Sequence, residues 1–142
     1  MKRKPNVVLI TIESLRADFV GYVNSQERNT PFLDNLSKES LVFARAIAPG
    51  VPTFFHFPSL MTGQMPFTYG YKLGIPDGVG NTTIAEVLRN HGYKTIAVLG
   101  DNPQLYSIYN FDRGFDVFWD GFERTSTSDM FLINTLWNIK QR

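Results

Sequence analysis

Pro5 to Asp18 reads PNVVLITIESLRAD, an unbroken apolar run that ends on a carboxylate. Asn6 to Ile12 is short, rich in Val and Ile, and does not alternate with polar residues, which predicts a strand buried on both faces of a parallel sheet. Glu13 follows at once. In open α/β sheets the ligand crevice lies off the carboxyl ends of the strands, so an acid at this place is a candidate for chemistry. The competing reading is an acid that caps the next element or is solvated at the sheet rim.

Outward from this stretch, the chain has one domain's worth of residues, 142 in all, with 14 Lys and Arg against 13 Asp and Glu. A formal charge of +1 with both signs mixed gives no electrostatic case for nucleic acid or an anionic membrane surface. The basic start before VVLITI imitates an export signal, but the apolar run is too short and Glu13 interrupts it without a small-residue cleavage site. No later run has the length needed to cross a bilayer, so a soluble, cytoplasmic protein is the expectation. The absence of cysteine excludes a disulfide framework, a thiolate metal site and a cysteine nucleophile.

In chain order, Ala17 to Thr30 reads as a polar connection. Thr30 and Pro31 then start a helix that carries Phe32, Leu33 and Leu36 and ends near Ser40. Leu41 to Ala48 reads as a second strand. Thr53 to Thr62, TFFHFPSLMT, is read as a helix closed by Gly63, with Pro58 arguing for a late start or a kink. Gln64 to Gly80 is a long loop, broken by Pro66, Pro76 and four glycines. Thr83-Ile84-Ala85-Glu86 is a capping-box pattern before a helix that runs to about His91, where Gly92 supplies the stop. Tyr93 to Leu99 is a strand, Gln104 to Tyr109 one or two helical turns, and Val117 to Trp119 a short strand. Ser128 to Lys140 is read as a helix with Phe131, Ile133, Leu136, Trp137 and Ile139 as its apolar stripe.

Several side chains are candidates for chemistry. Thr53 heads a helix, where free backbone N–H groups and the helix dipole favour an anion, and a hydroxyl there could attack a phosphoryl or sulfuryl centre if a metal lowered its pKa. A plain helix cap is the alternative. His56 is read either as a ligand or proton donor or as a core-edge histidine between Phe55 and Phe57. Arg16 and Asp18 pair with each other or with the sheet end. Asp101 and Asn102 lie just past a strand end. Asp112, Arg113 and Asp116 around Gly114 are read as a turn held by side-chain hydrogen bonds, and His91 as a structural helix end.

PNVVLITIESLRAD, NTPFLDNLSKESLVFARAIAPGVPT, FPSLMTGQMP, TIAEVLRNHGYKTIAV and DRGFDVF together resemble, in order, the N-terminal half of sulfatases in the alkaline phosphatase superfamily. The resemblance covers Pro5 to about Trp119. It implies an α/β fold with a doubly wound, mostly parallel, alkaline-phosphatase-like sheet, present only as its N-terminal part, and a metal site at the carboxyl ends of the central strands. Residues 1–142 are then a sulfatase-like N-terminal domain that lacks the C-terminal half. The cofactor implied is a divalent ion such as calcium, zinc, manganese or magnesium.

Carried over residue by residue, the resemblance makes Glu13 a metal ligand where sulfatases usually have Asp, an exchange also found in lipoteichoic acid synthases and phosphoethanolamine transferases. It puts the nucleophile at Thr53, counted back from Leu60-Met61-Thr62-Gly63. Sulfatases that use formylglycine have Cys or Ser there, Pro two residues on and Arg four residues on. This chain has Thr53, Phe55 and Phe57, so that modification is not expected. Thr as nucleophile resembles those transferases, and Thr53 would then both ligate a metal and attack. The family completes its metal site with an Asp-His pair and further histidines from the C-terminal half, and after His91 the chain has no histidine. The expectation is a metal-dependent sulfuric or phosphoric ester hydrolase domain, inactive by itself, with a C-terminal complementing chain as partner. The alternative is a non-catalytic sulfatase-fold remnant or partner-binding protein.

Overall fold

A computed structural model describes residues 4–121 apart from 28, 71, 79 and 101. Asp101 and the segment Ser128 to Lys140 lie outside the described residues. The chain divides into two compact units, Met1–Ile47 and Ala48–Arg142.

In the first unit the apolar run does not form the expected strand. Residues 5–12 carry no strand assignment, and Val7, Val8, Leu9, Ile10 and Ile12 are exposed. The second expected strand, Leu41 to Ala48, is likewise absent, and Leu41, Phe43 and Ile47 are exposed. The physical reason is non-local: a strand buried on both faces exists only when neighbours satisfy its N–H and C=O groups and helices cover it. Among the described residues the one strand pair lies elsewhere.

What does form here is local. Helix α1 spans Pro31–Ser37, with Pro at its first position. Thr30 stands at the cap position, but its side chain does not cap the helix. Its hydroxyl accepts the Gly21 amide at 3.0 Å and donates to Asp34 Oδ1 at 2.9 Å. Asp34 Oδ1 also accepts the Tyr22 amide at 3.0 Å, so the polar connection folds back onto the helix. Val20 is the only buried side chain among the described residues of this unit.

The second unit holds the core. Helix α2 spans Thr53–Thr62, starting at Thr53 and running through Pro58, so the proline does not delay it. Gly63 ends it with φ 71°, a left-handed conformation that lets its amide reach Ser59 O at 2.8 Å. Among the described residues the loop that follows contains one 3-10 turn, Pro66–Tyr69. Helix α3 spans Ile84–Asn90 behind the expected capping box: the Glu86 amide donates to Thr83 Oγ1 at 3.0 Å, and the Thr83 amide to Glu86 Oε2 at 2.7 Å.

Strands β1, Ile96–Val98, and β2, Val117–Trp119, pair in parallel with Ile96 opposite Val117 and Val98 opposite Trp119. The expected strand at Tyr93 to Leu99 is thus present in a shortened form. Two 3-10 turns, Pro103–Leu105 and Ser107–Tyr109, fill the expected helical stretch between the strands. Met61, Ile75, Ala85, Leu105 and Phe111 form the buried cluster, with Phe57, Leu99, Tyr109, Phe115 and Phe118 packed against it. Among the described residues the fold is therefore an α/β arrangement with a two-stranded parallel sheet.

Candidate active site

Thr53 is the first residue of α2 and is 8 % exposed. It is not the cap, since Pro52 holds that position and no side chain caps the helix. The first turn is closed in part by the Phe55 amide, which donates to Pro52 O at 2.9 Å. The unpaired N–H groups of a ten-residue helix and its dipole make this end favourable for negative charge.

His56, one turn further on, is half-buried with its ring 5.0 Å from that of Phe57. Phe57 in turn packs edge-on against Phe111 at 6.2 Å, which commits it to the core. Phe54 meets the Tyr109 ring edge-to-face at 4.8 Å.

Glu13 belongs to the first unit, at an exposed turn where Ser14 has φ 56° and its hydroxyl lies 3.5 Å from Glu13 Oε1. Arg16 and Asp18 pair with each other at 2.6 Å, as one of the two sequence readings has it. The hydrogen bond with Asp18 raises the Arg16 pKa, and the same bond lowers that of Asp18. Both groups are exposed, so the pair adds little stability. Asn102 caps the turn after β1, its Oδ1 accepting the Gln104 amide at 3.0 Å. His91 closes α3 with Nδ1 2.8 Å from Val87 O.

The turn Asp112 to Asp116 is more than a turn. Arg113 Nη2 bonds Glu86 Oε1 at 3.2 Å and Oε2 at 3.1 Å, and Arg113 also donates to Pro76 O at 3.1 Å and Asn81 O at 3.2 Å. Thr83 Oγ1 reaches Arg113 O at 3.1 Å, which ties the cap of α3 to the same turn. Gly114 has φ +88°, and a Cβ there would overlap the Glu86 amide nitrogen, so the close approach requires glycine. Asp116 Oδ2 accepts the Thr95 amide at 2.9 Å, and Thr95 Oγ1 donates to Gly114 O at 2.7 Å. Burial pushes the Glu86 carboxyl up, but the Thr83 amide and Arg113 outweigh it and its pKa lies below the ordinary value. The Thr95 amide leads in lowering Asp116, against burial and with Lys94 assisting. The sequence marked this turn through Gly114 and its acids. The reach of Arg113 across to α3 had no local signal.

Among the described residues no three His, Cys, Asp or Glu side chains group so that they could hold a metal ion. Glu13 in the first unit and Thr53 in the second each offer one hard oxygen donor of the kind a dication takes, and two donors fall short of the roughly four to eight that such ions take.

The second unit's parallel strand pair and two helices, with a buried threonine at the head of the longer helix, define an α/β protein with a candidate anion-facing helix end. The sulfatase family model matches residues 5–137, and the chain belongs to the sulfatase family, within the general class of the alkaline phosphatase superfamily. It is 30 % identical over 128 residues to an ulvan-active sulfatase of Formosa agariphila, covering 84 % of this chain and 24 % of that protein. An arylsulfatase of Clostridium perfringens is 32 % identical over 95 residues, covering 65 % of this chain and 20 % of its own length. Human N-acetylgalactosamine-6-sulfatase is 25 % identical over 132 residues, with 78 % and 25 % covered. The chain thus spans about a quarter of the length of the curated relatives it matches. No solved structure matches it. No helix among the described residues is long and apolar enough to cross a membrane.

Proposed function

We propose that residues 1–142 are the N-terminal domain of a sulfuric or phosphoric ester hydrolase or transferase, with Thr53 as nucleophile and Glu13 and Thr53 as two ligands of a divalent ion. The observation that carries this reading is Thr53 itself, buried at the head of α2 in a chain whose family match spans residues 5–137. The helix end would receive the anionic oxygens of a sulfate or phosphate ester, and the hydroxyl would attack its central atom. The relatives act on sulfate esters by name, which favours sulfate over phosphate as the first substrate to try.

The remaining ligands would come from a complementing C-terminal part, and the chain alone would be inactive. Mixing the chain with the C-terminal part of a sulfatase relative and assaying aryl sulfate and phosphodiester hydrolysis tests this. Activity is expected only in the mixture, falling by about 10⁴-fold or more in Thr53→Ala. Turnover that survives Thr53→Ala would remove the nucleophile. Metal titration of the same mixture with Glu13→Ala is expected to show weaker binding, and equal affinity would remove that ligand. The exposed apolar runs of the first unit favour the second reading, a partner-binding remnant without catalysis, which association without turnover would establish.

A further inference from the structure

We infer that Tyr109 is a positioning residue for Thr53, acting through Phe54. Helix α2 is weak near its start. Pro58 lies inside the helix and carries no N–H, so it cannot donate to the carbonyl of Phe54 one turn back. Pro52, at the cap, supplies no side-chain bond either. One bond of the regular helix ladder, from residue 58 back to the Phe54 carbonyl, is therefore missing beside Thr53, and a ring packed on Phe54 from outside α2 adds hold where the ladder is short.

Tyr109 is built to do so. Its ring meets Phe54 edge-to-face at 4.8 Å with planes at 77°, a favourable aromatic geometry. Its own position is fixed from behind: Tyr109 O accepts the Ile75 amide at 3.0 Å, and Asn110, at φ 62°, donates from Nδ2 to Ile75 O at 2.9 Å. Gly74, at φ +76°, lies so close that a Cβ would overlap Tyr109 O. Ile75 is 1 % exposed and belongs to the core cluster. The Tyr109 ring is thus a fixed wall against the residue that follows Thr53. That the wall matters for chemistry rests on the reading of Thr53 given above; the wall itself does not.

Amide hydrogen exchange on the 142-residue chain tests this without any assay of activity. Tyr109→Leu keeps the main-chain bonds to Ile75 and the Cβ beside Gly74 but removes the ring. Its expected effect is a loss of about fivefold in protection at the His56 and Phe57 amides, which close the first turn, with α3 and the far end of α2 unchanged. Tyr109→Phe, which keeps the ring, is expected to behave as wild type. Equal loss across the second unit would make Tyr109 an ordinary core residue, and no loss at His56 and Phe57, or failure of Tyr109→Phe to restore protection, would also overturn the proposal. If Tyr109→Leu does not fold, Phe54→Leu removes the other ring and carries the same expectations. Failure of the hydrolase reading leaves these exchange rates untouched, so the two are told apart.

Discussion

Residues 5–12 and the core of the second unit are both rich in aliphatic side chains, and only the latter are buried. Ile10 is 77 % exposed while Ile75, in a loop, is 1 % exposed. The difference is in what surrounds each. Ile75 is held by Tyr109 O, by the Asn110 side chain and by the packed Met61, Leu105 and Phe111, all supplied by nearby elements of one unit. The apolar run pairs with no strand among the described residues. Hydrophobicity states the environment a segment requires and cannot create the neighbours that provide it.

Ile75→Ala probes the well-supported side of this contrast and carries the largest expected effect. Removing a fully buried branched side chain from a packed cluster costs about 3 kcal/mol through lost transfer energy and the cavity left behind. Urea unfolding of the chain measures it as a fall in midpoint at unchanged slope. A loss below about 1 kcal/mol would mean that the loop relaxes into the space and that the second unit is less rigid than its hydrogen bonds imply.

The same contrast explains how much was legible in the sequence. Elements whose cause is local are legible almost residue for residue: α2 between Thr53 and Gly63, the Thr83–Glu86 capping box and the stop at Gly92. Each depends on a side chain or a left-handed glycine acting within about four residues. The strands expected at Asn6 to Ile12 and Leu41 to Ala48 do not form here, because their formation depends on pairing at long range, which no window of sequence contains. Of the site, the place of Thr53 at a helix start was legible. Sequence places Arg113 only in a turn, since nothing near it announces that Glu86, Pro76 and Asn81 converge on its guanidinium.

That convergence gives the next prediction, of intermediate size. The folded-state pKa of Glu86 is depressed, so the pair contributes stability that is fully present above the unfolded carboxylate pKa of about 4.3 and is lost as pH falls through the lower folded value. Glu86→Gln removes the charge while keeping the side chain's size, and its expected cost near neutral pH is about 2 kcal/mol, since Arg113 is left with a weaker partner at a site only 22 % exposed. Below about pH 4 the gap between variant and wild type should narrow. Unfolding midpoints measured across this range check the sign. A gap that widens on acidification would show that Glu86 is not the proton-linked group.

The smallest expected effect lies on the unsupported side, and it is the most informative. Ile10→Asn places a polar, β-disfavoured residue in the middle of the apolar run. If the side chain is as exposed in solution as its 77 % figure states, no buried area is lost and stability changes by less than about 0.5 kcal/mol. A loss above about 1.5 kcal/mol in urea unfolding would mean that the run is buried in the isolated chain after all, and the contrast between the two units would collapse. Adding the proposed C-terminal part turns the same variant into a second measurement. A run that becomes a central strand on association must then bury residue 10, and an uncompensated amide in an apolar setting costs about 1–3 kcal/mol. Association of Ile10→Asn with that part is therefore expected to weaken by about tenfold or more. Equal affinity would leave residues 5–12 outside the interface and require the missing neighbours to be found elsewhere.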